Sequence, residues 1–314
     1  MGVAFVFPGQ GSQAVGMGKA LAENFASARE VFEEVDAALG DKLSGIMWEG
    51  PKETLTLTAN AQPALMAVSM AVMRVLEQEK GFKLADKVKF VAGHSLGEYS
   101  ALAAAGAFSL ADAARLLRLR GEAMQKAVPV GEGAMAALLG VSLDVAVKVA
   151  EAAAQGDVCQ VANDNDPTQV VLSGHKRAID RVAEVGKSFG VRRAMPLPVS
   201  APFHCALMQP AADAMAEALS KIDIKAPSVP VISNVLAAPI ADPEEIRKRL
   251  VEQVTGTVRW RESVLYMATN GITQVYEAGA GKVLSGLVGR IDKSIAAAPV
   301  GTPEEIEAAA STLG

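Results

Sequence analysis

Cysteine, histidine and aromatic residues are all scarce in this 314-residue chain, which has two Cys, three His and 4% aromatics. The two cysteines, Cys159 and Cys205, lie far apart, so a disulfide framework is not expected and a reducing, cytoplasmic setting is. Cys205 adjoins His204, but neighbours on an extended segment point to opposite faces, and a buried small residue is the favoured reading. No Lys/Arg-rich run occurs and the net charge is -5, which argues against nucleic acid as a partner. No stretch approaches the roughly 18 uncharged apolar residues of a membrane span, and the N-terminus has no signal-type pattern. What is plentiful is hydrophobic residues, at 50% of the chain, enough for one large domain or a domain carrying a substantial insertion.

Element order reads as α/β. Val3–Phe7 is a short apolar strand ended by Pro8; Met17–Leu39 reads as one or two helices and Asn60–Gln78 as another, with Pro63 near its first turn. Val88–Ala92 is a buried strand, Glu98–Ala107 a helix, and Ser109–Lys126 a helix opening with a Ser109-x-x-Asp112 cap. The next stretch alternates β-α-β-β-α-β: Ala134–Gly140, Leu143–Gln155, Val158–Ala162, Gln169–Ser173, Lys176–Phe189 and Arg192–Leu197, with a hairpin turn at Asn163–Pro167. That is the ferredoxin-like order, so residues 128–196 are expected to form a small subdomain inserted into a larger unit of 1–127 and 197–314. Pro210–Ser220 is helical, Val229–Ser233 a strand, Pro243–Val254 a helix, and Gln274–Glu277 a last strand.

Gly93-His94-Ser95-Leu96-Gly97 fits G-x-S-x-G, with an apolar strand before it and an Ala-rich helix after it. That context makes Ser95 a candidate nucleophile at a helix N-terminus, where free N–H groups favour an oxyanion, the Leu96 N–H among them. A serine needs a base. His94 is too close in sequence for an in-line hydrogen bond and His175 sits where a small-subdomain helix begins, leaving His204, in a loop after the return strand. No Asp or Glu stands out to orient the imidazole, since Asp164 and Asp166 are expected in the hairpin turn; a dyad is therefore expected, with a backbone carbonyl orienting the ring.

Arg120 falls in the apolar stripe Ala113, Leu116, Leu117, Met124, whereas Arg115, Arg118 and Glu122 lie on the opposite, solvated side. A core-facing guanidinium needs an anion. Two readings stand: an internal salt bridge, or a substrate carboxylate held by the planar fork. Gly9, Gly11 and Ala14 formally match a dinucleotide-binding pattern, but no second strand follows within the required distance. The loop is better read as lying beside the elbow, with Gln10 offering donors to an oxyanion.

Together these blocks resemble the malonyl-CoA:acyl carrier protein transacylase family and the acyltransferase domains of polyketide and animal-type fatty acid synthases. The likeness rests on Phe7-Pro8-Gly9-Gln10-Gly11-Ser12-Gln13, Gln62-Pro63-Ala64, Gly93–Tyr99, Arg120-Gly121, Pro202-Phe203-His204 and Gly279–Leu284, and runs the length of the chain. It implies an α/β-hydrolase-like large domain with an inserted ferredoxin-like subdomain and the active site in the cleft between them. It implies ping-pong transfer, in which Ser95, activated by His204, takes malonyl from coenzyme A and yields it to the phosphopantetheine thiol of acyl carrier protein. The resemblance makes Arg120 the grip on the malonyl carboxylate and Gln62 a substrate-binding residue. It makes Gln10 and Leu96 the oxyanion hole, and Gln253 the residue whose backbone carbonyl orients His204. Phe203 resembles the residue of malonyl-selecting members, plain packing being its other reading, because Ala201–His204 departs from the usual selector sequence. A discrete, monomeric cytoplasmic enzyme with no permanently bound cofactor or metal is expected, serving fatty acid synthesis or a polyketide pathway. Acyl carrier proteins of these systems are acidic, and Lys187, Arg192 and Arg193 are candidates for docking one. A serine hydrolase is the competing enzyme class; a non-catalytic binding module is disfavoured by the presence of both Ser95 and His204.

Overall fold

The computed structural model describes residues 2–199 and 201–313, and builds them around two sheets. The larger sheet has six strands: β1 (Gly2–Phe7), β2 (Phe90–Gly93), β7 (Val231–Ser233), β8 (Ala238–Ile240), β9 (Ile272–Ala278) and β10 (Ala296–Val300). Their order is β10-β9-β1-β2-β7-β8, parallel throughout except for β8. The Val3–Phe7 run is apolar at every position because β1 is buried on both faces. Phe5 and Phe7 pack with the helices Ala26–Leu39 and Thr58–Gln78, while Ala4 and Val6 face Trp260, Val264 and Leu287.

The second sheet is antiparallel, with β3 (Gly133–Leu139), β4 (Cys159–Asp166), β5 (Gln169–His175) and β6 (Arg193–Pro196) in the order β4-β5-β3-β6. Helices Leu143–Ala154 and Lys176–Ser188 cover one face through Val149, Ala153, Ile179 and Val182, giving the βαββαβ arrangement.

Several local expectations need correction. The Met17–Leu39 region is not among them, being two helices, Lys19–Asn24 and Ala26–Leu39, one of the two forms expected. The helix expected from Asn60 begins at Thr58, so Pro63 lies inside it and not in its first turn. Gln274–Glu277 is not in the last strand: β10 follows it, an edge strand that tolerates Pro299 and whose Ala296-Ala297-Ala298 run carries little strand signal. The largest correction concerns Asn163–Pro167. These residues are not a turn up to Asp166, because β4 continues to that residue and pairs with β5.

The reason is docking onto the large sheet's side of the molecule. Asp164 N–H donates to Val258 O and Val258 N–H to Ala162 O, extending β4 by one parallel bridge. Alternate side chains then face opposite ways. Asp164 pairs with Arg261 at 2.9 Å and Asp166 with Arg290 at 2.7 Å, whereas Asn163 lines the cleft and Asn165 meets His94. Polar residues that read as a turn are therefore a two-sided seam. Asp164→Ala should lower unfolding stability by about 2–3 kcal/mol, at the lower end for a broken buried pair because the Arg261 side chain keeps 26% of its exposure. Urea denaturation checks this; a loss below about 0.5 kcal/mol would reduce the seam to a surface contact.

Candidate active site

Parallel pairing sets Phe7 beside Gly93, so the loop after β1 and the turn after β2 emerge together at the C-terminal edge of the sheet. A Cβ on Gly93 would lie 1.9 Å from the Gly97 carbonyl, and one on Gly97 would lie 2.2 Å from Phe7 O. Both positions must be glycine for the strand, turn and helix to close this tightly. Between them Ser95 sits at φ 55° and ψ −111°, a strained backbone for a residue with a side chain. The strain is held from both sides: Ser95 N–H donates to Asn234 Oδ1 at 2.8 Å, and Ser95 O accepts from Gln253 Nε2 at 3.0 Å. Asn234 Nδ2 also donates to Gly93 O at 2.7 Å. Leu96 is the first residue of the helix Leu96–Ala104, where an N–H has no partner within its own helix.

His204, at φ 56° and 3% exposed, brings Nε2 to 2.8 Å from Ser95 Oγ. Its Nδ1 is 2.8 Å from the backbone oxygen of Gln253. Gln253 lies in the last turn of the helix Pro243–Thr255, and the final carbonyls of a helix lack intrahelical donors. A free oxygen at the negative end of the helix dipole thus stands where a carboxylate is often found. Burial, then the nearby Arg120 charge, depresses the imidazole to about 3, so His204 is neutral and able to accept a proton. The other two histidines are engaged elsewhere. His94 Nε2 meets Asn165 Oδ1 at 2.9 Å, and His175 Nδ1 accepts from Val158 N–H at 2.9 Å. Cys205 donates its thiol to Pro202 O and is fully buried. Ser200, in the same stretch, lies outside the described residues.

Arg120 is 1% exposed and, among the described residues, forms no salt bridge. Its partners are neutral oxygens: Gln62 Oε1 at 2.7 Å, Gln253 Oε1 at 2.8 Å and Ser95 Oγ at 3.1 Å. The guanidinium lies 5.6 Å from the Tyr99 ring centroid, and among the described residues its Nε makes no hydrogen bond of ordinary geometry, the Tyr99 hydroxyl being a further neutral neighbour. The internal salt bridge, one of the two readings of this arginine, is therefore absent. A second chain of bonds leaves the same group: Gln62 Nε2 donates to Thr58 Oγ1, which donates to Gln10 Oε1. Gln10 thereby has its carbonyl end engaged. A cleft of about 450 Å³ brings together Gln10, Gln62, Ser95, Leu96, Arg120, Phe203 and His204; Gln253 stands behind it, fully buried. Its far wall is Met135, Asn163, Leu197, Pro198 and Val199, from the smaller sheet and the segment that follows β6.

Sequence reading passed over three residues of this network: Asn234, Glu98 and Thr58. Asn234 follows β7 at its C-terminal end, a position where such sheets place functional groups, and that was the one signal available. Glu98, an acid in the first turn of its helix, is 1% exposed, and burial raises its carboxyl to about 7. Arg118, expected to be solvated, is instead half-buried and bonded to Asn60 and Asp41. Arg193 pairs with Leu139, at the opposite end of β3 from cleft-lining Met135, so the Arg192–Arg193 pair does not stand at the cleft.

A mostly parallel sheet, a serine elbow and a histidine on its hydroxyl beside a buried cation suit an acyl-group-handling enzyme, and the chain belongs to the acyl transferase domain family, matched over residues 4–285. Within it, the chain is similar to malonyl CoA-acyl carrier protein transacylases. It is 47% identical over 312 residues to that of Bacillus subtilis (strain 168), spanning 99% of this chain and 97% of the relative. The crystal structure of the acyl-carrier-protein-S-malonyltransferase from Bartonella henselae is 60% identical, covers 100% of both chains and superposes with a TM-score of 0.98. A malonyl-transacylase solved with a holo type II polyketide acyl-carrier protein is 42% identical, with 99% and 100% of the two chains covered and a TM-score of 0.96.

With its pKa held near 3 instead of 6.5, His204 loses its proton far below neutrality and stays neutral at every higher pH. The rate of Ser95 labelling by a fluorophosphonate should therefore stay level from pH 8 down to about 5. A fall with a midpoint near 6.5 would mean that the imidazole is solvated and not sealed as described.

Proposed function

We propose that this chain moves a malonyl group from malonyl-CoA to the phosphopantetheine thiol of acyl carrier protein, supplying fatty acid synthesis. The observation that carries the proposal is Arg120: a buried cation with no carboxylate partner among the described residues, 3.1 Å from the hydroxyl of Ser95. An acyl group esterified to that hydroxyl and ending in a carboxylate fits a donor fork at this distance.

In the proposed sequence, Ser95 Oγ attacks the thioester carbonyl as its proton passes to His204 Nε2. The Leu96 N–H and Gln10 take the developing oxyanion. The C–S bond breaks, and His204 returns the proton to the departing coenzyme A sulfur. The incoming phosphopantetheine thiol then gives its proton to His204 and attacks the ester, and Ser95 recovers the proton as its C–O bond breaks. The Gln253 carbonyl keeps the ring oriented, and it and the helix end stabilise the transient imidazolium. Gln62 aligns Arg120, and Phe203, buried against the cleft beside His204, sets the room available at the α-carbon.

We take the cleft to lie between a catalytic unit, 1–127 with 197–314, and a subdomain, 128–196; all four strands of the smaller sheet fall within Gly133–Pro196. We also take the enzyme to be a cytoplasmic monomer that keeps no resident cofactor or metal and binds no nucleic acid. Among the described residues, no helix is long and apolar enough to cross a membrane.

Incubation with malonyl-CoA should add one malonyl group to the intact protein and none to Ser95→Ala. Holo acyl carrier protein should then discharge the acyl-enzyme much faster than water does; equal rates would make the chain a hydrolase. Arg120→Ala should lower malonyl acylation by about 10²-fold or more, as when a buried charge loses its partner, and acetyl acylation far less. Equal losses would remove Arg120 from substrate recognition.

A further inference from the structure

Glu98 touches neither of the two proton-transfer groups, yet it holds the residues that hold them. Its Oε2 accepts from Gln253 Nε2 at 2.7 Å and from Asn234 N–H at 3.2 Å. Among the described residues its Oε1 makes no hydrogen bond of ordinary geometry, the Ser233 hydroxyl being the side chain near enough to favour the charged carboxyl. Gln253 and Asn234 are the two residues that clamp the strained peptide of Ser95. The two ends of a glutamine amide are nearly equal in size, so its neighbours decide which way it points. Glu98 and Ser95 O both demand the NH₂ end, and that turns Oε1 toward Arg120 Nη2, a pure donor, at 2.8 Å. A flipped amide would set donor against guanidinium and oxygen against carboxylate.

We infer that Glu98 is a positioning residue for malonyl transfer, locking Gln253 so that Arg120, on its side-chain amide, and His204, on its backbone carbonyl, keep their places. The inference rests on the function proposed above. It turns on an acceptor at the Oε2 position and not on charge, because both bonds converge on that single atom.

Two near-isosteric variants separate these features in the full chain. Glu98→Gln removes the charge but can keep an oxygen at that position; Glu98→Asp keeps the charge but withdraws the acceptor by one methylene. Acylation of Ser95 by malonyl-CoA and by acetyl-CoA is followed by rapid quench and intact mass, beside wild type. Glu98→Asp should lose roughly 10²-fold in malonyl acylation, with the malonyl-to-acetyl ratio falling about tenfold as Arg120 loses its anchor. Glu98→Gln should remain within about threefold of wild type at an unchanged ratio. An unchanged ratio in Glu98→Asp would overturn the inference even if both rates fell, since that is what a general packing defect produces. A Glu98→Gln enzyme as impaired as Glu98→Asp would overturn it in favour of charge. Should wild type take no malonyl, the proposed function fails on its own. The contrast is then read on fluorophosphonate labelling of Ser95, where Glu98→Asp must be slow and Glu98→Gln must not.

Discussion

A guanidinium sealed from water and bound only to neutral oxygens is the constraint around which this site is arranged. Arg120 reaches Gln62, Gln253 and Ser95, three groups from three separate stretches of chain. A buried charge is costly without an opposite one, and amide and hydroxyl oxygens relieve only part of that cost. The fold tolerates the deficit because the helix that carries Arg120 is otherwise apolar on this face, with Leu116, Leu117 and Met124 tightly buried. In the proposed function the substrate carboxylate makes good the deficit, so the site is least comfortable when empty.

The same arginine limits what else the site contains. Its charge helps keep His204 neutral, and a carboxylate placed within reach of it would compete with any anionic ligand. A backbone carbonyl from a helix end avoids that competition. It orients the imidazole and favours its positive form without adding a full negative charge beside the guanidinium. Glu98, the nearby acid, is buffered from Arg120 by the Gln253 amide, and its own burial raises its pKa to about 7.

The two sheets contribute unequally. The parallel sheet supplies the elbow, the loop of Gln10 and, through the segment after β7, Asn234. The antiparallel sheet supplies a wall and is stitched down by Asp164 and Asp166, while from the same strand Asn163 lines the cleft and Asn165 meets His94. A run of Asn and Asp reads as a turn in isolation, because those residues serve their own backbone in turns. Arg261 and Arg290, about 100 residues or more further along the chain, are what make it a strand.

The Ser95 elbow, the histidine that meets its hydroxyl and the misfit of Arg120 were legible in the residues themselves, for physical reasons that are local. A tight strand–turn–helix needs glycines at fixed spacing, only three histidines compete for the base, and one charge interrupts a helical stripe. The β-α-β-β-α-β order was legible for the same reason, since period and turn residues are written within each element. What Arg120 binds, why Gln253 has a carbonyl to spare, and where Glu98 and Asn234 sit were decided only by tertiary structure. Each depends on groups far apart in the chain, from 25 residues for Arg120 and Ser95 to 155 for Glu98 and Gln253, and no local pattern encodes their meeting.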